Sequence, residues 1–268
     1  PIDRLGSNAG HALLDESRIS LEQEGMFTLP GFIRPAARDS ILEEVQPVLR
    51  RDSFTHSRSH NVYFEDEIPG LAADHPALRE GWTTNHTVCG DQIAGSSICR
   101  IYEWQPLVEF LTRVMGRKRL YLMDDPMAAL NVLEYRSGEP ALNWHFDRSE
   151  FTTTLLLCAA DRGGEFQYRS ALRTANDPNF EGVAALLADD DPEIRTLPMT
   201  AGTLCIFRGV ETAHRVTPVT GTRPSPPPAP PARAPRPATR RRVPRRSAPR
   251  RGPPAPTPKP APRGDAES

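Results

Sequence analysis

Apart from one short insert, the sequence from Leu120 to Arg223 never sustains a helical period. It breaks into short apolar runs separated by turn residues, a pattern that restricts this part of the chain to packed antiparallel strands. Runs of strand length lie at Ala128–Tyr135, Phe151–Cys158, Glu165–Tyr168, Ile194–Leu197, Thr203–Phe207 and His214–Val219. Ser137-Gly138, Gly163-Gly164, Ala201-Gly202 and Thr220-Gly221 supply turns between several of them. The insert, Phe180 to Ala188, reads as a helix. Upstream the character differs. Gly25 to Ile33 predicts a short strand and turn, and Pro35 stands where a helix can begin. Ile41, Leu42, Val45, Val48 and Leu49 then fall on one helical stripe. A second helix is expected from about Pro106 to Met115, with Leu107, Phe110, Leu111 and Val114 inward and Gly116 to end it. Asp52 to Arg100 shows few periodic apolar positions and predicts loops over a site or short strands. The expected fold class is α+β, mainly β: a double-stranded β-helix (jelly-roll) core over about 120–223, backed by N-terminal helices.

Charge divides the chain in two. Residues 224–268 carry 11 Arg/Lys against 2 Asp/Glu, while the first 223 residues hold the other 22 basic and 32 acidic groups. The net charge of −1 therefore describes neither part. An acidic body gives no clustered positive surface for phosphates, so nucleic acid is not an expected partner except through the tail. Sixteen of the 45 tail residues are Pro and none is aromatic, so this segment cannot bury enough apolar surface to offset its ordering entropy. The expected organisation is a domain over 1–223 and a disordered or polyproline-like tail over 224–268.

Cys89, Cys99, Cys158 and Cys205 are scattered, with no C-x-x-C pair to suggest a zinc knuckle or a redox dithiol. No apolar run reaches the length of a membrane span and no signal peptide opens the sequence, so the reducing cytoplasm is the expected compartment.

Chemistry concentrates in Asn143-Trp-His-Phe-Asp147 and in His214, 67 positions after Asp147. On a strand, residues i and i+2 point the same way, so His145 and Asp147 can project together into a barrel. A histidine from a later strand completes one face of an octahedron. Two imidazoles and one carboxylate leave three positions open for a bidentate co-substrate and O2, the arrangement expected of non-haem Fe(II) oxygenases. Arg223 follows His214 by nine residues, and its guanidinium suits a distal carboxylate. Trp144 and Phe146 alternate with the ligands and should point away from the metal.

Together with the approach strand Leu130-Asn-Val-Leu-Glu-Tyr135, the turn Arg136-Ser-Gly138 and Gly163-Gly-Glu-Phe166, these residues resemble the Fe(II)/2-oxoglutarate-dependent oxygenase superfamily. In detail the chain is similar to the bacterial branch of carrier-free amino-acid hydroxylases and radical halogenases. The resemblance implies iron ligands at His145, Asp147 and His214, a 2-oxoglutarate anchor at Arg223, and co-substrate contacts from Asn131 and Tyr135. Halogenases of this branch replace the carboxylate ligand by Gly or Ala so that chloride can bind; Asp147 therefore implies hydroxylation. The implied co-substrates are 2-oxoglutarate and O2, and the implied target is a small polar molecule such as a free amino acid. Arg148 and Glu150 are candidates for its carboxylate and amine. His56 and His60, four apart without a helical stripe between them, are expected at the surface.

The sequence departs from its relatives after Arg223, where they continue into a last barrel strand. Pro224-Ser-Pro-Pro-Pro-Ala-Pro-Pro231 lacks the N–H groups of a ladder, so that strand is expected to be missing. A genuine basic extension would account for this, as would an out-of-frame reading of a GC-rich gene; the abrupt end of the barrel pattern favours the second. Two alternatives to an active enzyme follow: a remnant barrel that binds metal without turnover, and an interaction protein acting through Arg240-Arg-Arg242 and Arg245-Arg246. A zinc or manganese cupin-like barrel is the nearest rival within the architecture, but cupins bring more histidines to the metal.

Overall fold

The computed structural model describes residues 1–125 and 127–221. Arg223 and the tail 224–268 thus lie outside the described residues, as does the expected last strand. The elements run α1 (Asn8–Glu24), β1 (Met26–Leu29), α2 (Pro35–Asp52), β2 (Phe54–His60), β3 (Gly81–Cys89), α3 (Ser97–Tyr102), α4 (Gln105–Val114), β4 (Asn131–Glu134), β5 (Leu142–His145), β6 (Thr152–Leu155), β7 (Phe166–Arg169), α5 (Phe180–Leu187), β8 (Arg195–Leu197), β9 (Leu204–Phe207) and β10 (Ala213–Val216). Helix α1 begins where the Ser7 hydroxyl accepts the Gly10 amide and ends at Gly25, whose φ of 70° is the left-handed conformation of a helix stop. The sequence expectation is met for α2, α4, α5 and seven strands, β1, β4 and β6 to β10, each within a few residues.

Three antiparallel sheets form, in the orders β1-β9-β6, β5-β10-β7-β8 and β2-β3-β4. Alternation along β9 shows how they are layered. Leu204 and Ile206 pack with Leu14, Leu21 and Phe110 of the helices, while Cys205 and Phe207 pack with Met26 and Tyr168 on the other face. A strand buried on both faces reads as a continuous apolar run, which is why Leu-Cys-Ile-Phe was recognisable. In β5 the same alternation sends Trp144, with Phe146 beyond the strand's end, against Val183, Leu186 and Leu187 of α5. His145 is thereby turned inward.

Residues 52–100 differ from the expectation of loops or short strands. They contain the two longest strands, β2 with seven residues and β3 with nine. In β3, Thr83, Thr84, Asn85, His86 and Thr87 are all buried although none is apolar, so no hydrophobic period marks the strand. His60 is also buried, correcting its surface placement. Among the described residues β4 pairs only with β3, and β6 only with β9.

Phe110 is fully buried and meets the Phe27 ring edge-on at 6.1 Å. Phe110→Ala should cost about 3–5 kcal/mol of stability in urea unfolding, through lost transfer energy and the cavity left behind. Because the residue lies in the helix–sheet layer, metal affinity of the folded fraction should not change.

Candidate metal centre

Strands β5 and β10 run antiparallel with His145 directly opposite His214. Directly opposed residues of an antiparallel pair share one face with their Cβ atoms close together, and the two imidazole centroids are 4.1 Å apart. Asp147 lies two residues beyond His145, just past the end of β5. Its Oδ1 is 3.5 Å from His145 Nε2, and its Oδ2 is 3.7 Å from His214 Nε2. One ligand atom from each residue lies within 4.8 Å of the others, so a single ion can touch all three.

The ring orientations are set by backbone. His145 Nδ1 is 2.9 Å from the Asn143 carbonyl and His214 Nδ1 is 3.1 Å from the Thr212 carbonyl. Each carbonyl accepts the Nδ1–H, which leaves both Nε2 lone pairs facing the shared centre. Protonation suits a metal as well. Burial of His214, together with repulsion from His145, pulls its pKa down to about 3 despite the attraction of Asp147. Burial would raise the Asp147 carboxyl, but hydrogen bonding to His145, the attraction of both histidines and the Thr152 hydroxyl outweigh it and hold the group at about 2. The carboxylate is ionised and His214 neutral at pH 7, the states that ligands require. Two imidazoles and a carboxylate on one side of a point match a facial iron site.

The loop carrying Asp147 is clamped by Gly209. The Asp147 amide donates to the Gly209 carbonyl at 3.0 Å, and the Gly209 amide donates to the Glu150 carbonyl at 3.1 Å. A Cβ on Gly209 would stand 2.8 Å from Asp147 Cβ and 2.7 Å from the Ser149 carbonyl, so no side chain fits there. The Arg208-Gly209 pair stood in the sequence just before His214, but nothing local signals that its backbone touches the ligand loop.

Apolar rings shield the histidines. Phe207 meets His214 edge-on at 4.7 Å, Phe166 stacks on it at 5.5 Å, and Phe64 meets His145 at 5.8 Å. Phe64 has φ 58°, a left-handed conformation that is strained for a residue with a side chain. The Asn61 side chain enforces it, accepting the Tyr63 and Glu65 amides and donating to the Glu65 carbonyl.

A polar wall stands beyond Phe64. His60 lies 6.4 Å from the His145 ring and 4.4 Å from that of Phe64. The Asn61 carbonyl accepts its Nδ1–H, so its Nε2 accepts from the Thr83 hydroxyl at 2.7 Å. Thr83 in turn accepts the Asn143 amide at 3.0 Å. Burial depresses the His60 pKa and favours the neutral ring. Thr83, Asn85 and Thr87 alternate along this face of β3, while Val88 on the reverse packs against Ile41, Val45 and Leu49 of α2. On β2, Arg58 lies over the Phe64 ring at 4.7 Å and has no ion-pair partner among the described residues. Arg58, His60 and Phe64 were not singled out for a site in the sequence, where a polar strand carries no motif.

Other expected site residues fare differently. Asn131 is exposed and paired in β4 with Cys89. Tyr135 is partly buried just past β4, and burial raises its hydroxyl pKa. Among the described residues neither makes a hydrogen bond or ring contact with the triad. Arg148 and Glu150 are exposed beside the ligand loop, and Glu150 is paired with Arg117.

The family model described as HalD, Halogenase D, matches residues 9–224. The chain belongs to the Halogenase D family. No curated protein matches it. Among solved structures, the non-heme alpha ketoglutarate dependent epimerase SnoN from nogalamycin biosynthesis is 15% identical with a TM-score of 0.50, covering 79% of this chain and 77% of that one. A prolyl-4-hydroxylase from Pseudomonas putida is 16% identical with a TM-score of 0.48, covering 78% and 93%. A 2OG-Fe(II) oxygenase family oxidoreductase from Burkholderia pseudomallei is 14% identical with a TM-score of 0.46, covering 78% and 85%. The likeness to SnoN gives this Halogenase D chain the fold of that epimerase.

Removing a ligand should weaken metal binding more than the roughly 10–100-fold seen for loss of a supporting residue. His214→Ala is therefore expected to abolish the Fe(II) or Co(II) complex in chelator competition. Gly209→Ala should weaken it as well, because the added Cβ displaces Asp147 and the Ser149 carbonyl.

Proposed function

We propose that the chain is an Fe(II)- and 2-oxoglutarate-dependent dioxygenase that hydroxylates a small polar substrate bearing a carboxylate, a free amino acid fitting best. The observation that carries this reading is Asp147. The family is named for halogenation, which on the resemblance above needs an open coordination position where the carboxylate would sit. Here that position is filled by an ionised side chain 3.5 Å from one histidine and 3.7 Å from the other. The product then takes oxygen from O2 rather than a halide.

His145, Asp147 and His214 would hold the iron, and Arg223 would anchor the distal carboxylate of 2-oxoglutarate, with Asn131 and Tyr135 on its flank. When bound, iron with 2-oxoglutarate and O2 supplies the oxidation: a C–H becomes C–OH while 2-oxoglutarate becomes succinate and CO2. The chain's own residues bind, orient and exclude water. Phe64, Phe166 and Phe207 keep the histidines dry. The Thr83–Asn85–Thr87 face favours a polar substrate over an apolar one. Arg58, stacked on Phe64 and without an ion-pair partner among the described residues, is better placed for a substrate carboxylate than Arg148.

A second reading, a metal-binding barrel without turnover, draws on the edges of β4 and β6 that have no partner among the described residues and on the proline run after Arg223. Anaerobic visible absorption with Fe(II) and 2-oxoglutarate separates the two. A charge-transfer band, followed by succinate release with an amino acid, supports the enzyme. Iron binding without the band supports the remnant. In chloride buffer the product should gain oxygen and no chlorine; a chlorinated product would defeat the hydroxylase reading. Arg58→Ala should raise KM roughly 10–100-fold, the worth of a charged hydrogen bond, with a smaller change in kcat.

A further inference from the structure

Asp147 needs more than its place in the chain to serve as a ligand. A carboxylate has two oxygens, and rotation about its last torsion decides whether an ion meets one of them or both. Among the described residues, one side chain outside the triad hydrogen-bonds it: the Thr152 hydroxyl donates to Oδ2 at 2.5 Å. We propose that Thr152 is the positioning residue of the metal centre, fixing the Asp147 carboxylate so that it gives the ion a single oxygen and keeps three positions open. This role rests on the reading of the triad as a metal site.

The placement of Thr152 follows from the fold. It opens β6 and pairs across the ladder with Phe207, whose ring meets His214 at 4.7 Å. The strand that shields one ligand therefore also registers the residue that orients another. The ligand loop 147–152 is closed at three points: the Asp147 amide on the Gly209 carbonyl, the Gly209 amide on the Glu150 carbonyl, and the Thr152 hydroxyl on Oδ2. The first two fix backbone, and only the third fixes the carboxylate's rotation. Gly209 would bring any Cβ to 2.7 Å from Thr152 Oγ1, so the glycine also keeps the hydroxyl's path clear. Charge-assisted O–H···O− bonds are short and strong, and a partner behind a ligand sets both its direction and its basicity.

The test uses the full chain and Co(II), whose visible bands report coordination number and whose affinity is read by chelator competition. Thr152→Val keeps the shape and strand preference of threonine and removes the donor; Thr152→Ser keeps the donor. Thr152→Val should weaken Co(II) about 10–100-fold and shift its visible bands toward a higher coordination number, with the melting temperature of the metal-free chain unchanged. Thr152→Ser should restore both affinity and spectrum. Parent-like affinity and spectrum in a folded Thr152→Val chain overturn the role. So does an equal loss in a folded Thr152→Ser chain, which marks a general structural effect. Should Thr152→Val fail to fold, a Thr152→Ser chain without parental binding overturns it equally. A parent chain that binds no Co(II) overturns the metal centre itself, and this role with it.

Discussion

The site depends on one register. His145 and His214 meet because β5 and β10 pair with these two residues directly opposite. Since side chains alternate along a strand, a slip of one residue would turn His214 away from the centre and set Ala213 or Arg215 in its place. The register is held from both sides of β10. Four consecutive pairs tie it to β7, and Trp144 and Phe146 lock the outer face beside β5 against α5. Helix α5 touches no ligand, yet its Val183, Leu186 and Leu187 determine which residues of β5 point inward.

Burial around that pair serves the chemistry rather than stability alone. Removing His214 from water disfavours its charged form, and the same low-dielectric surroundings strengthen its attraction to the Asp147 carboxylate. The metal-free chain thus keeps a neutral imidazole beside an anion, an arrangement that a divalent cation completes. The left-handed backbone at Phe64 belongs to the same design. Strain of this kind persists where surrounding contacts over-determine it, and three hydrogen bonds from Asn61 do so here. They hold an aromatic ring between the histidines and the polar wall.

How much of this was legible follows from which signals are local. The triad could be read because its elements carry strand period and ligand chemistry in the same few letters, Asn-Trp-His-Phe-Asp and Ala-His-Arg-Val. The helices α2 and α4 could be read because their buried residues recur at helical spacing. Strand β3 could not. Its Thr-Thr-Asn-His-Thr is buried on both faces, and its polar groups are satisfied by partners distant in sequence: Thr84 by Ser57, His86 by Thr55 and Glu139, Thr83 by His60. No apolar alternation marks it, because its buried side chains are polar. His60 was misplaced for the same reason. The contact between Gly209 and the ligand loop leaves no trace in either segment.

Family membership does not by itself decide the reaction. The Halogenase D match spans most of the chain and fixes kinship, but chemistry belongs to the site. The surroundings of Asp147 suit a carboxylate: the Gly209 carbonyl accepts its backbone amide and fixes the loop, the Thr152 hydroxyl donates to Oδ2, and two histidines draw its pKa down. A vacant position there would leave the partly buried Thr152 hydroxyl without this acceptor. The carboxylate is therefore integral to the loop that carries it. On the hydroxylase reading proposed above, that loop keeps a carboxylate where a halide would otherwise sit.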